Sequence, residues 1–75
     1  MNIGRLYTYN YSRLLHETKE LTEWFIEIEE DTPLVLLELY KPASFSGVVK
    51  SYKVLTSNGL VGWISGLEEF FRELV

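Results

Sequence analysis

The sequence predicts a mainly β domain: a small antiparallel barrel of about five strands with a C-terminal α-helix. Several short stretches alternate apolar and polar residues with a period of two, as strands do. Asn58-Gly59, between two such stretches, is typical of a tight hairpin turn. The chain then closes with an apolar stripe of helical period, which indicates an amphipathic helix.

The size of the chain sets the next constraint. Its 75 residues make one domain, spanning 1–75. A domain this short buries only about 60% of its unfolded surface, and without cysteine it gains no stability from disulfides. Two Trp, five Tyr and four Phe compensate, because each buried ring removes a large apolar area from water. An aromatic excess of this kind is also compatible with homo-oligomerisation.

Charge and hydropathy exclude several classes of function. The formal net charge of −4 and the scattered Lys and Arg residues argue against a nucleic-acid binder, which needs clustered basic side chains. The longest apolar run, Leu34 to Leu37, is far shorter than the roughly 20 residues of a membrane helix. The N-terminal segment lacks the pattern of a signal peptide. We therefore expect a cytoplasmic protein, in the host cytoplasm if it is viral, with no membrane partner.

The hairpin leaves two registers open. A two-residue Asn58-Gly59 loop pairs Ser57 with Leu60, whereas a three-residue loop from Ser57, with Gly59 in the left-handed conformation, pairs Thr56 with Leu60. A slip of one residue exchanges the faces of one strand, so only one register can be correct. The three-residue loop places five residues on one face: Tyr52, Val54, Leu60, Gly62 and Ile64.

The first half of the chain contains two predicted strands. Tyr7, Tyr9 and Tyr11 alternate with polar residues in the first, so they share a face. The stretch from Ser12 to Glu23 is either a polar hairpin loop or a short helix capped by Ser12, and its composition favours the loop. In the strand from Glu23 to Glu30 the inward set is Trp24, Ile26 and Ile28, and the outward set is Phe25, Glu27 and Glu29. Asp31-Thr32-Pro33 ends this strand in a turn.

The second half adds a strand apolar on both faces, a loop, the hairpin and the helix. Leu34 to Tyr40 has Val35, Leu37 and Leu39 on one face and Leu34 and Leu36 on the other, so we expect cover on both sides. The loop from Lys41 to Gly47 carries an apolar Phe45. Ser65 and Glu68 fit a helix-capping box, and the stripe that follows is Leu67, Phe70, Phe71 and Leu74. We expect this stripe to pack on the barrel over Leu34 and Leu36; the alternative is that it docks a partner or a second copy.

Residues that could build a catalytic site are missing from the sequence. There is no Cys, and His16 is the one histidine, in a polar stretch that predicts a surface position. The acidic run that includes Glu27 and Glu29 lacks the spacing of a calcium loop and is typical of a solvated face. We therefore expect a protein that is not an enzyme and that needs no cofactor and no metal.

Several short motifs resemble the SH3 domain. Arg5-Leu6-Tyr7-Thr8-Tyr9 resembles the family's Ala-Leu-Tyr-Asp-Tyr signature, followed by a polar stretch similar to the long RT loop. The segment from Glu30 to Glu38 resembles the family's Gly-Asp-x-Leu-x-Val-Leu-Glu strand entry, and Gly62-Trp63-Ile64-Ser65 resembles Gly-x-Ile-Pro. The resemblance implies an SH3-like barrel with Val54 and Ile64 both in the core, which favours the three-residue loop.

The departures from the SH3 pattern bear on function. Tyr7 and Tyr9 match two of the aromatic positions that grip proline-rich ligands in the family. The family's ligand-binding Trp is Ser51 here, its surface Pro is Ser65, and its Ser-Asn-Tyr is Gly66-Leu67-Glu68, so most of the polyproline platform is lost. The family ends in a brief turn and a last strand, where we expect a helix. The resemblance is closer to the broad SH3-like class found in bacteria and bacteriophages.

The sequence therefore favours a small SH3-like protein that works by protein–protein contact. The expected contact residues are Tyr7, Tyr9, Tyr11, Phe45 and Trp63, with Glu27 and Glu29 steering a basic protein partner. A structural, self-assembling role is the first alternative, and a nucleic-acid-binding barrel is the second.

Overall fold

Seven short strands and one turn of 3₁₀ helix make up the structure, a computed structural model that describes residues 1–18, 25–40 and 50–74. The strands are β1 (Leu6–Tyr9), β2 (Arg13–His16), β3 (Phe25–Ile28), β4 (Leu34–Tyr40), β5 (Lys50–Thr56), β6 (Val61–Gly66) and β7 (Phe71–Glu73). They form one antiparallel sheet in the order β3-β2-β6-β5-β4-β1-β7, curled into a half-barrel. The expected mainly β, antiparallel architecture is confirmed, with seven strands in place of about five.

The β5–β6 hairpin has the three-residue loop. Gly59 adopts a φ of 87°, and the Thr56 N–H donates to the Leu60 carbonyl at 2.8 Å. The Leu60 N–H also donates to Thr56 Oγ1 at 3.1 Å, so the turn is held by a side chain as well as by the backbone. Glycine suits this position because a φ above zero costs it almost nothing.

The inner face of the sheet holds the core, which matches the inward set expected for the hairpin. Tyr52, Val54 and Ile64 are almost fully buried, with Leu15 from β2 and Leu34 and Leu36 from β4. The expectation for β4 is correct only in its first half. A β-bulge between Leu36 and Glu38 adds one residue, so that Leu39, paired with Tyr52, packs against the core instead of continuing the outer face.

The predicted C-terminal α-helix was wrong. Ser65 and Gly66 continue β6 by pairing with β5, a single 3₁₀ turn η1 (Glu68–Phe70) follows, and β7 pairs with β1. No side chain caps η1, so the capping box does not form. A lone ten-residue helix is marginal in water, whereas β7 satisfies its backbone groups on the β1 edge and brings Phe71 against the core.

The described residues of the segment from Ser12 to Glu23 form neither the polar loop nor the short helix that we expected. Arg13 to His16 form β2, paired with β3 through Leu15 opposite Ile26 and His16 opposite Phe25. The faces predicted for the following strand are correct in part: Ile28 is buried and Phe25 and Glu27 are exposed, but Ile26, which we expected to face inward, is 38% exposed. Trp24 and residues 19–23 lie outside the described ranges. Across the described ranges, no helix has the length and apolar character needed to cross a membrane.

Candidate functional site

A depression walled by three aromatic rings lies where the end of β1 meets η1. Its lining is Tyr9, Tyr11, Arg13, Ser65, Gly66, Leu67 and Phe70, and its volume is about 270 Å³. The Phe70 ring stands edge-on to both tyrosines, with centroids 6.1 Å from Tyr9 and 5.2 Å from Tyr11. We call this the aromatic depression.

Tyr9 is fixed at the floor of the aromatic depression. It is only 4% exposed, and its hydroxyl accepts the backbone N–H of Leu67 at 3.1 Å. Gly66 makes this position possible, because a Cβ there would lie 2.5 Å from the Tyr9 hydroxyl oxygen. Tyr11, by contrast, is 55% exposed beyond the end of β1. The depression therefore combines a rigid ring with one that is accessible to a ligand.

Arg13 forms the boundary of the aromatic depression and ties β2 to β6. Its Nε donates to the Ser65 carbonyl at 2.9 Å, and a terminal nitrogen donates to Ser65 Oγ at 2.5 Å. Its guanidinium also lies 5.5 Å from the centre of the Tyr9 ring, within cation–π range. Three contacts hold one side chain, so Arg13 positions Tyr9 and Ser65 relative to each other.

A second depression of about 220 Å³ begins on the other side of Arg13. It is lined by Ser12, Arg13, Leu14, His16, Glu27 and Ser65, and thus shares Arg13 and Ser65 with the first. Glu27 is exposed and directly opposite Leu14, which is itself 43% exposed. We call this the acidic depression, and the two together the groove. The groove is apolar and aromatic at one end and acidic at the other.

The predicted contact residues fall in different places. Tyr9, Tyr11 and Glu27 line the groove, but Tyr9 offers only its edge because it is as buried as Tyr7, at 4% exposed. Tyr7 belongs to the core and lines neither depression. Trp63 lies on the outer face with Lys53, as expected, but it is only 8% exposed, which leaves little of the ring for a partner. Glu29 lines a separate depression beside the 57–60 turn. Phe45 lies outside the described residues.

Most of the residues that line the groove were not among the predicted contacts, and Phe70 and Arg13 contribute most to its shape. Phe70 was assigned to a helix, and only the 3₁₀ turn brings its ring against Tyr11. Arg13 was counted among scattered basic residues. Alternation does not predict its position, because β1 ends at Tyr9 and β2 begins only at Arg13.

The groove is suited to binding, since it offers apolar area and one carboxylate. Among the polar side chains that line it, Arg13 and Ser65 are engaged with each other. His16 is half-buried beside the Phe25 ring, at 5.9 Å between centroids, and is not the free surface residue that we expected. In the described ranges no three His, Asp or Glu side chains group closely enough to hold a metal ion.

Comparison with known proteins adds no identification: the sequence matches no protein-family profile, no curated protein and no solved structure.

Proposed function

We propose that the chain is a small, non-enzymatic SH3-like module that binds an extended peptide along the groove. The peptide places a proline or another apolar residue in the aromatic depression and a basic residue near Glu27. The observation that carries this proposal is that the two depressions lie next to each other, on either side of Arg13 and Ser65, which line both.

The arrangement of the last strands supports an SH3-like relationship. The family's brief turn and last strand correspond to η1 and β7, which take the place of the expected helix. The turn comes two residues later than the alignment of Gly66-Leu67-Glu68 with Ser-Asn-Tyr implies. In this proposal Phe70, at the end of η1, takes the role of the family's tyrosine, for which the sequence offered no counterpart.

The chemistry of the groove favours a proline-containing peptide. Proline-rich segments are pre-ordered in an extended helix, so that little conformational entropy is lost when they dock between aromatic rings. Tyr9, Tyr11 and Phe70 stand edge-on to one another at 5.2–6.3 Å and leave apolar faces toward the depression. Glu27 adds a negative charge at the far end, which selects the direction of a peptide with one basic end.

Tyr11→Ala is expected to weaken peptide binding without unfolding the domain. The test is an NMR titration with a synthetic peptide of repeated proline ending in arginine, for which we expect a dissociation constant of about 100 μM. Losing an accessible aromatic anchor costs about 2 kcal/mol, or roughly 30-fold in affinity. Ile3→Ala is the matched control, because Ile3 is an exposed apolar residue (65%) outside the groove lining.

The titration also tests the acidic end of the groove. Glu27→Lys is expected to reduce affinity for the arginine-ended peptide several-fold and to raise it for a glutamate-ended one. Chemical-shift changes at the Leu67 and Phe70 amides, together with changes at the Glu27 amide, support the groove as the site. An absence of binding to any proline peptide at about 1 mM, or equal losses in Tyr11→Ala and Ile3→Ala, would refute the proposal.

A further inference from the structure

The outer face of the sheet carries an apolar row that crosses four strands. Leu6, Val35, Leu55 and Val61 are directly opposite one another on β1, β4, β5 and β6. The two end members are the more exposed, Leu6 at 39% and Val61 at 47%, while the two middle members are half-buried. We call these four residues the outer row. It lies away from the groove, which involves the opposite end of β6.

A pair of opposite charges adjoins the outer row. Lys53 and Glu38 are cross-strand partners on β5 and β4, two residues further along β5 from Leu55. The outer row and this pair are arranged symmetrically about a line that runs parallel to the strands, midway between β4 and β5. Leu55, Val61 and Lys53 lie on one side of this line. Val35, Leu6 and Glu38 lie at the corresponding positions on the other side.

We propose that this face is the contact surface of a symmetric homodimer. We place a twofold axis parallel to that line and just above the outer face of the sheet. Rotation about this axis puts β4 of the second copy over β5 of the first, and β1 of the second copy over β6 of the first. Leu55 then packs on Val35 of the second copy, Val61 on its Leu6, and Lys53 meets its Glu38. Every apolar residue meets an apolar one and each charge meets its opposite, which an isologous interface requires.

The charges favour a second copy as the occupant. The chain carries a net charge of −4, so two copies repel each other in most orientations. The twofold contact offsets part of this repulsion, because it brings Lys53 against Glu38 twice. It also keeps Glu27, on strand β3 at the far edge of the sheet, away from the interface.

The available area indicates a weak dimer. Four strands spaced by about 4.8 Å span roughly 19 Å, and a seven-residue strand such as β4 spans roughly 23 Å. Because β1 and β6 have only four and six residues, the footprint is smaller than this rectangle of about 440 Å² and falls below the roughly 500 Å² per partner of a stable specific interface. Two sheets that pack face to face with nearly aligned strands are a common arrangement. We therefore expect association in about the 100 μM range.

Sedimentation equilibrium of the full chain tests the dimer. The mean mass is expected to be near 8.8 kDa at about 10 μM and to rise toward twice that value at about 1 mM. Val61→Lys is expected to hold the mass at the monomer value at both concentrations. Leu14→Lys is the matched control, because Leu14 is similarly exposed (43%) but lies on β2, outside the outer row, and should leave the dimer intact.

Two charge reversals test the symmetry. Lys53→Glu and Glu38→Lys each place like charges in both contacts, so each variant alone is expected to remain monomeric. An equimolar mixture of the two restores both opposite-charge contacts and is expected to associate at least as tightly as the wild type. A change in the stability of either fold cannot produce this complementation. Glu69→Lys and Arg72→Glu, exposed and outside the outer row, are controls for net charge.

Three results would overturn the dimer proposal. They are a wild-type mass that does not change with concentration, an association that survives Val61→Lys, and a charge-reversed mixture that stays monomeric. None of the variants alters a residue of the groove except the Leu14→Lys control, so peptide binding by Val61→Lys is expected to be unchanged. The dimer and the proposed peptide site can therefore fail independently.

Discussion

Gly62→Ala is expected to destabilise the fold by about 3 kcal/mol or more. A Cβ at position 62 would lie 2.6 Å from Leu15 Cγ and 2.7 Å from the backbone carbonyl oxygen of His16. The Leu15 side chain is fully buried and the carbonyl belongs to the backbone, so neither can move cheaply. A chain of 75 residues has a total stability of only about 4–11 kcal/mol.

The damage from Gly62→Ala is expected to concentrate on the contact between β2 and β6. The two strands are in register at a single pair, His16 opposite Trp63, immediately beside Gly62. When the β2–β3 hairpin moves away, the acidic depression and the Arg13–Ser65 contacts are lost with it. We therefore expect the variant to lose peptide binding even at temperatures where most of the sheet remains folded.

Thermal unfolding of Gly62→Ala and Gly59→Ala separates steric clash from backbone strain. Gly59 has a φ of 87° but open space around the added carbon. Gly59→Ala is therefore expected to lower the free energy of unfolding only by the strain of holding alanine in the left-handed conformation, about 1–2 kcal/mol. For a domain this small, Gly62→Ala should lower the melting temperature by roughly 15 °C and Gly59→Ala by roughly half as much. Equal shifts in the two variants would contradict the steric argument.

The hairpin could be predicted from sequence because local and global signals agree there. Asn58-Gly59 favours a turn, and the alternation on both sides fixes which residues face inward once the loop length is chosen. The choice of loop length depended on Val54 and Ile64 sharing a face, and both are buried. The strand from Phe25 to Ile28 was predictable for the same reason.

The C-terminal segment could not be predicted because its local signal was misleading. The spacing of Leu67, Phe70, Phe71 and Leu74 fits a helical stripe, but aromatic residues also suit strands. The deciding partner is β1, more than 60 residues earlier, through pairs such as Tyr9 opposite Phe71. No pattern within the segment itself indicates that the edge of β1 is available for pairing.

The same nonlocal contact explains why Phe70 was not predicted to line the groove. Tyr9, Tyr11 and Glu27 follow from alternation, which places side chains on faces. Phe70 joins them only because η1 turns the chain back toward β1, where its backbone carbonyl accepts the Asn10 N–H at 3.1 Å. The bulge in β4 is a similar case: Leu37 looks like any other strand residue in the sequence, yet it shifts the face of each residue after it.

Tyr52 is expected to make the protein lose stability above pH 10. Its side chain is fully buried, and its hydroxyl has no hydrogen-bond partner among the described residues. Burial raises the pKa of Tyr52 to about 12, with smaller contributions from the nearby Glu68 and Tyr9. The folded state therefore keeps this proton between pH 10 and pH 12, while the unfolded chain releases it near pH 10.

The sign of the effect follows from proton linkage. Because the folded state binds more protons than the unfolded state in that range, the free energy of unfolding falls as the pH rises, by up to about 1.4 kcal/mol per pH unit for this one group. The full contribution is present below pH 10, and about 2–3 kcal/mol is lost by pH 12.

Urea unfolding of the wild type and of Tyr52→Phe between pH 7 and pH 12 measures this contribution. Tyr52→Phe removes the group, so the difference in stability between the variant and the wild type is expected to widen as the pH rises above 10. At pH 7 the variant is expected to be about 1 kcal/mol more stable, because it deletes a buried hydroxyl without a described partner. Tyr11→Phe, which removes an exposed hydroxyl, keeps the number of titrating tyrosines equal. If the two variants lost stability in parallel from pH 10 to pH 12, the Tyr52 hydroxyl would have to be solvated in the folded protein.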